Sequence, residues 1–404
     1  MTQSEGKVPV GEAGWGTIIV IYLLCVMAAS TVSQVIPIAG DIARYFHPPR
    51  EQVGWIISLP SALVAIGAVL VGWVIDRVGD KPAILVGAAL MICGDLGAVL
   101  AETVPQLLAM RVVEGLGYVG ISVGTVTLLT RATTGRRRTS ALTLWSSFVP
   151  MSFALPLVLA GLLAGTGHWR WAFGGHALIT LVLALAGLRL PGRSADVTAR
   201  RSAGLSLVLR TPACYALGVS FALAAFVQTG IVTTLPQVLA ARYGVSIPMG
   251  SGVGTIGMLF NTAGCLLMGP LFNRGIPVLT LVTSSVLLTA ATAVGVHLAG
   301  LPLAASVAVA WLFFFGSGLI VGFWALLPSA APSPQSRGAA SGLVAQLTHF
   351  GVLFGPPAGF AAMGVPVRQY GNTIAALAAC AALLWMVVRL TGTRRMVVDG
   401  SASH

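Results

Sequence analysis

Long runs without a single charged residue set the pattern of this chain, at 13–40, 52–75, 139–169, 171–188, 211–241, 243–273, 275–336, 338–367 and 369–388. A helix of about 20 apolar residues spans the hydrocarbon layer of a bilayer. The run 275–336 is too long for one crossing and is predicted to fold back at Ala299-Gly300-Leu301-Pro302. Two further apolar segments, 82–101 and 105–130, carry embedded charges. The pattern predicts twelve helices, near 15–39, 53–75, 82–101, 105–130, 141–164, 170–190, 212–236, 249–271, 276–296, 303–328, 339–363 and 370–391. This is the pattern of an all-α polytopic membrane protein.

Composition excludes the soluble alternatives. Of 404 residues, 56% are hydrophobic and 8% charged, with mean hydropathy +0.91, against about a quarter charged in an ordinary globular chain. So few charges cannot cover a soluble surface. Cys25, Cys93, Cys214, Cys265 and Cys380 lie singly within apolar runs and read as small helix fillers, with no metal or disulfide spacing. The net charge of +12 comes without a basic stripe interleaved with aromatics, so nucleic acid is not an expected partner.

The charge marks orientation instead. With twelve crossings, seventeen of the 23 basic residues fall on the side of the termini, five on the other, and Arg111 is embedded. The positive-inside rule then places both termini in the cytoplasm. The first apolar run exceeds a signal-peptide core and reads as a retained helix. A polar interruption, Arg189–Arg210, divides the chain into an N-terminal six-helix bundle (1–190), a linker (191–211) and a C-terminal bundle (212–404). The halves correspond: Pro37 with Pro236, Arg44-Tyr45 with Arg242-Tyr243, Gly72 and Arg77 with Gly269 and Arg274, Pro156 with Pro356. All offsets lie between 197 and 200, as in a duplicated six-helix unit.

Between the second and third spans stands Gly72-Trp-Val-Ile-Asp76-Arg77-Val-Gly79-Asp80-Lys81. A short turn with small residues and charges beside helix ends fits this place. The run resembles the G-x-x-x-D-R-x-G-x-K/R loop signature of the major facilitator superfamily. The second half keeps a remnant, Gly269-Pro-Leu-Phe-Asn273-Arg274. Leu107-x-x-x-Arg111-x-x-Glu114-Gly115-x-Gly117, Trp169-Arg-Trp-Ala-Phe173 and Gly351-x-x-x-Gly355-Pro356-Pro357-x-Gly359 resemble the family's fourth, sixth and eleventh helices. The fifth helix keeps Pro156 but lacks the glycines common in drug/proton antiporters. The resemblance covers the whole chain. It implies two pseudo-symmetric six-helix bundles and a gate at Gly72, Asp76, Arg77, Gly79 and Lys81. In that gate Asp76 would engage Arg131 and the start of span 11, with hinges at Pro156, Gly355 and Pro356.

Asp95, Arg111 and Glu114 are the charges inside the membrane, where such groups are functional candidates by default. Asp95 and Arg111 each lie about 10 Å below the turn at 102–105, at about 1.5 Å per residue, so they are expected to meet. Glu114 follows Arg111 on the same helix face. Two carboxylates beside one guanidinium make Asp95 and Glu114 candidates for reversible proton binding, and a fixed ion pair is the alternative. No Asp or Glu lies between Asp196 and Asp399, so a carboxylate-based proton site belongs to the N-terminal half. Otherwise His349 or His176 would carry it, although His176 reads as a satisfied packing histidine.

Polar side chains near the span centres propose a solute site: Ser30 and Gln34, Gln228 and Thr229, Gln346 and His349, with Arg111 as an anion donor. Asn261 reads as an interhelical hydrogen-bonding residue, and Trp145, Trp311 and Trp324 as cavity-side aromatics. The family implies alternating access, and the leading reading is proton-coupled symport of a small organic solute, an organic anion favoured. The alternatives are proton-driven efflux of amphipathic or cationic compounds, and a non-transporting receptor. No Walker motif and no H-E-x-x-H is present, so neither ATP drive nor a metal-dependent enzyme is expected. Beyond solute, protons and lipid, no cofactor and no second chain is expected.

Overall fold

The computed structural model describes residues 13–134, 137, 140–141, 144–145, 148–192, 205–298, 300–333, 336–363 and 365–392. All regular structure among them is helical. The first six long segments are α1 (Trp15–Phe46), α2 (Arg50–Ser58 continuing as Pro60–Val78), α3 (Asp80–Val99), α4 (Val104–Ala132), α5 (Phe148–Leu163) and α6 (Arg170–Gly187). A one-turn helix, Leu205–Val208, precedes the second set. That set comprises α7 (Pro212–Tyr243), α8 (Ile247–Asn273), α9 (Val278–His297), α10 (Leu303–Ala330), α11 (Arg337–Ala362) and α12 (Pro366–Thr391). Among the described residues nine helices are long and apolar enough to cross a membrane, and the bent pair α2 makes a tenth. The other two are the shorter α5 and the 26-residue α11, whose centre carries Gln346 and His349.

Two departures from straight helices follow from proline. In α2 the chain bends by 52° at Leu59-Pro60, because Pro60 has no N–H for the Ile56 carbonyl and its ring crowds that turn. α1 is interrupted at Gln34, one turn before Pro37. Both breaks leave backbone carbonyls in the membrane without helical partners, and such groups need other donors.

The helix pairings repeat between the halves. α1 packs on α5 as α7 packs on α11, α2 on α4 as α8 on α10, and α3 on α6 as α9 on α12. The halves meet through α2 with α11 and α5 with α8, pairs that the same duplication interchanges. Arg50 donates to the Met363 carbonyl at 3.1 Å, Trp55 stands edge-on to Phe354, and Gln237 donates to the Ile36 carbonyl at 3.1 Å. These contacts lie toward the end opposite the linker. At the linker end, Gly79 adopts φ 94° between α2 and α3, a left-handed conformation that favours glycine.

Candidate functional site

A charged cluster is sealed inside the N-terminal bundle. Asp95 of α3 and Arg111 and Glu114 of α4 are 0% exposed, and His176 of α6 is 5% exposed. Arg111 pairs with Glu114 and spends its remaining donors on the two broken helices. Its Nε donates to the Ile56 carbonyl at 2.7 Å and Nη2 to the Ile57 carbonyl at 3.3 Å. Ile56 is the residue whose helical partner Pro60 removes. From α1 the Thr31 carbonyl accepts from Nη2, while the Thr31 hydroxyl accepts from Nη1 at 3.1 Å and donates to Glu114. One guanidinium thereby ties α1, α2 and α4 together through its fixed fork of donors.

Asp95 does not pair with Arg111, contrary to the expectation from depth. Its Oδ2 lies 2.6 Å from His176 Nδ1, and its Oδ1 accepts from Gln34 Nε2 at 3.2 Å. Equal depth brings two helices level, but the rotation of each helix decides which side chains face. His176 Nε2 lies 2.9 Å from the Met27 carbonyl and 3.0 Å from Ser30 Oγ. Glu114 packs against α3 where Gly94 stands, since a Cβ there would lie 2.5 Å from Glu114 Cγ. Glu114 Oε1 and Gln34 Oε1 are buried acceptors without a protein partner.

A second polar site joins the halves at mid-membrane. Tyr118 sits at the centre of α4 and His349 at the centre of α11, with Tyr118 Oη 3.2 Å from His349 Nε2. His349 Nδ1 lies 2.8 Å from the Ala345 carbonyl, which only accepts, so Nδ1 carries the hydrogen. In the neutral ring Nε2 therefore accepts from the Tyr118 hydroxyl. Thr125 and Trp145 face the Cys25 thiol beside this pair, and the Trp145 indole N–H has no oxygen or nitrogen partner. Gln346 stands one turn from His349 and is half-buried. Gln228 of α7 is also half-buried, its amide directed to the Met258 thioether at 3.9 Å.

The expected solute residues therefore divide. Gln228, Gln346 and His349 are half-buried on helices of the C-terminal half. Ser30, Gln34 and Arg111 instead lie inside the N-terminal bundle and are bound up in the charged cluster. Thr229 is buried against α11, its hydroxyl donating to the Ala225 carbonyl at 2.7 Å. Asn261 donates to the Phe314 carbonyl and Ser317 across the α8–α10 contact, and the Trp311 indole donates to the Val253 carbonyl. Trp324 stacks on Phe221. His176 is more than a packing residue, since it is the partner of Asp95.

At the linker end Arg131 has a partner that the sequence did not single out. Arg131 binds Asp80 with both branches, at 2.8 and 3.0 Å, and donates to the Pro191 carbonyl at 3.1 Å. Lys81 donates to the Leu188 carbonyl at 2.8 Å. Asp80, on α3, faces Arg131 at the foot of α4, whereas the Asp76 side chain lies outside the described residues. Gly72 is half-buried and Arg77 exposed. Pro156 lies within the helix of α5, and Gly355 and Pro356 within α11, where a Cβ at Gly355 would lie 2.1 Å from Thr229 Oγ1. Both prolines thus lie inside helix, and Gly355 stands at a tight contact with α7. Sequence reasoning missed Tyr118, His176 as a charge partner, and Asp80. For His176 the available signal was a titratable ring in the span opposite an unpaired carboxylate.

Comparison with known proteins places this architecture. Over half of its length the chain is 28% identical to Protein TsgA of Salmonella arizonae across 212 residues, covering 51% of that protein. It is 30% identical to the arabinose-proton symporter of Escherichia coli K12 across 151 residues, 37% of this chain and 32% of that one. The chain spans about half the length, or less, of these curated relatives. A solved bacterial homologue of the human lysosomal transporter Spinster, in an inward-facing and unoccupied conformation, superposes with TM-score 0.76. It covers 98% of this chain and 100% of its own at 17% identity, a likeness of fold. The sequence profile of the Major Facilitator Superfamily matches residues 18–356. With two six-helix bundles meeting at a mid-membrane polar contact, this multi-pass membrane protein belongs to the Major Facilitator Superfamily of transporters.

Proposed function

We propose that this secondary transporter moves a small, uncharged polar solute by proton-coupled symport, with the solute held where Tyr118 and His349 meet. The observation that carries the reading is that hydrogen bond, a side-chain contact between the halves at the centres of α4 and α11. In alternating access the two bundles rock about a midplane site, and a solute there competes for these groups. Tyr118, His349, Gln346, Gln228 and the Trp145 N–H offer donors and acceptors without a fixed charge.

The anion expectation rested partly on Arg111, and that guanidinium is fully committed inside the N-terminal bundle. An uncharged solute fits better, and the arabinose-proton symporter among the relatives supports the same direction. Efflux of lipophilic cations calls for an acidic group within reach of the solute, and both embedded carboxylates are sealed away from the interface. Proton coupling is assigned to the cluster of Asp95 and Glu114, and the gate to the loop Gly72–Lys81. The Lys/Arg asymmetry supports cytoplasmic termini.

Binding to the folded state raises the melting temperature, which gives the test. Purified protein is melted with L-arabinose, gluconate or tetraphenylphosphonium, in wild type, Tyr118→Phe and His349→Ala. The reading expects stabilisation by the uncharged sugar, reduced in both variants. Stabilisation by gluconate or the cation alone would replace the uncharged reading. Equal stabilisation of all three proteins by the sugar would move the site elsewhere.

A further inference from the structure

We propose that His176, held by Asp95, carries the proton that moves with the solute; this rests on the proton-coupled reading above. The contacts of the ring supply the argument. Nδ1 faces the Asp95 carboxylate at 2.6 Å, and Nε2 faces the Met27 carbonyl at 2.9 Å. Both oxygens only accept, so each ring nitrogen carries a hydrogen and the ring is an imidazolium. Ser30 agrees with this assignment: its hydroxyl donates to the same Met27 carbonyl at 2.8 Å, leaving its lone pairs to Nε2 at 3.0 Å.

The charge inventory then closes. The ionisable groups that act on His176 are Asp95 from α3 and Glu114 from α4, and Arg111 enters the cluster through its pair with Glu114. α1 faces His176 with Ser30 and the Met27 carbonyl, and α2 enters the cluster through the Ile56 and Ile57 carbonyls. Two carboxylates, one guanidinium and one imidazolium sum to zero, the arrangement a water-excluded interior demands. With both carboxylates ionised, a neutral His176 would leave one uncompensated negative charge in the closed cluster.

Release is still chemically simple. The Nε2–H bond breaks, its electron pair stays on nitrogen and the proton passes to water. The Ser30 hydroxyl then turns from the Met27 carbonyl to donate to Nε2, while Nδ1–H keeps Asp95. The opening of the cluster has a mechanical origin in α2. The Arg50–Ser58 segment of α2 holds Arg111 through Ile56 and Ile57. Two residues before Ile56, Gly54 packs against the Pro357 backbone of α11. Movement of α11 against the N-terminal half therefore pulls on the carbonyls that hold Arg111, and through it Glu114, in place. Proton release and alternation share one lever.

The test uses the full chain, labelled with 15N-histidine and embedded in lipid nanodiscs. One of six histidine signals is assigned to His176 by its loss in His176→Gln, or by its shift in Ser30→Ala if the first variant folds poorly. At neutral pH the signal is expected to show both ring nitrogens protonated. In Asp95→Asn, which removes one negative charge, the ring is expected to show a single tautomer. A single neutral tautomer in the wild type would overturn the assignment. In dye-loaded proteoliposomes given L-arabinose, His176→Gln is expected to keep counterflow while the solute-linked pH change falls at least tenfold. A full pH change in His176→Gln would overturn the assignment alone. No pH change in the wild type, with counterflow intact, would overturn the proton-coupled reading itself.

Discussion

Gly54 offers a direct mechanical test of how the halves meet. A Cβ at this position would lie 2.3 Å from Pro357 Cα and 2.5 Å from Pro357 N. Carbon atoms in contact settle at about 3.5–4.0 Å, so Gly54→Ala must separate α2 and α11 by about 1.2 Å or more. The obstructing atoms are main chain and cannot rotate away. Overpacking of this kind costs about 1–3 kcal/mol. That cost falls only on states in which this end is closed, so their population should drop about 5- to 150-fold. The assay is a distance distribution between spin labels at Glu51 and Val365, on either side of the contact, in a cysteine-free background. Gly40→Ala is the control, because Gly40 has nothing within 4 Å of an added Cβ. Gly54→Ala should show a longer distance or a new open population, and Gly40→Ala neither. Matching distributions at unchanged stability would refute the idea that this contact closes the end opposite the linker.

Three further outcomes follow from the same contacts. Arg111→Met strands Glu114 in the bundle and should lower stability by about 3–5 kcal/mol, while Arg111→Met combined with Glu114→Met should recover most of the loss; melting in detergent checks both, and equal melting of single and double variants would argue against the pairing. Tyr118→Phe removes one hydrogen bond worth about 0.5–1.5 kcal/mol, so half-saturating solute in counterflow should rise by up to about tenfold, with no rise speaking against a site at His349. Asp80→Asn weakens the clamp by which Arg131 holds the Pro191 carbonyl, so trypsin should cut at Arg193 several-fold faster, and an unchanged cutting rate would mean the clamp does not restrain the linker start.

Much of the fold was legible because the bilayer imposes a simple code. Charge-free runs of helical length mark crossings, and matched prolines and arginines mark the duplication. The cluster was legible for the same reason, since Asp95, Arg111 and Glu114 interrupt apolar segments and cost too much to be incidental. Its wiring was hidden. Residue counting gave depth but not helix rotation, and rotation turns Asp95 toward His176 and away from Arg111. Pro60 was visible, yet that its orphaned Ile56 carbonyl takes the Arg111 Nε needs the bend and the neighbouring helix together. Tyr118 is one phenol among apolar residues and reads as packing until α11 is set against α4. In the loop after α2, the family pattern drew attention to Asp76, whose side chain lies outside the described residues, and gave no weight to Asp80, which binds Arg131.

Proton-coupled movement of an uncharged solute is read out by lumenal pH. Proteoliposomes carrying a trapped pH-sensitive dye receive L-arabinose outside, with protein-free vesicles as the reference. Symport predicts that the lumen acidifies as the sugar enters, and that a proton ionophore abolishes the signal. Alkalinisation on adding tetraphenylphosphonium, with no response to the sugar, would contradict the account and establish proton exchange in its place.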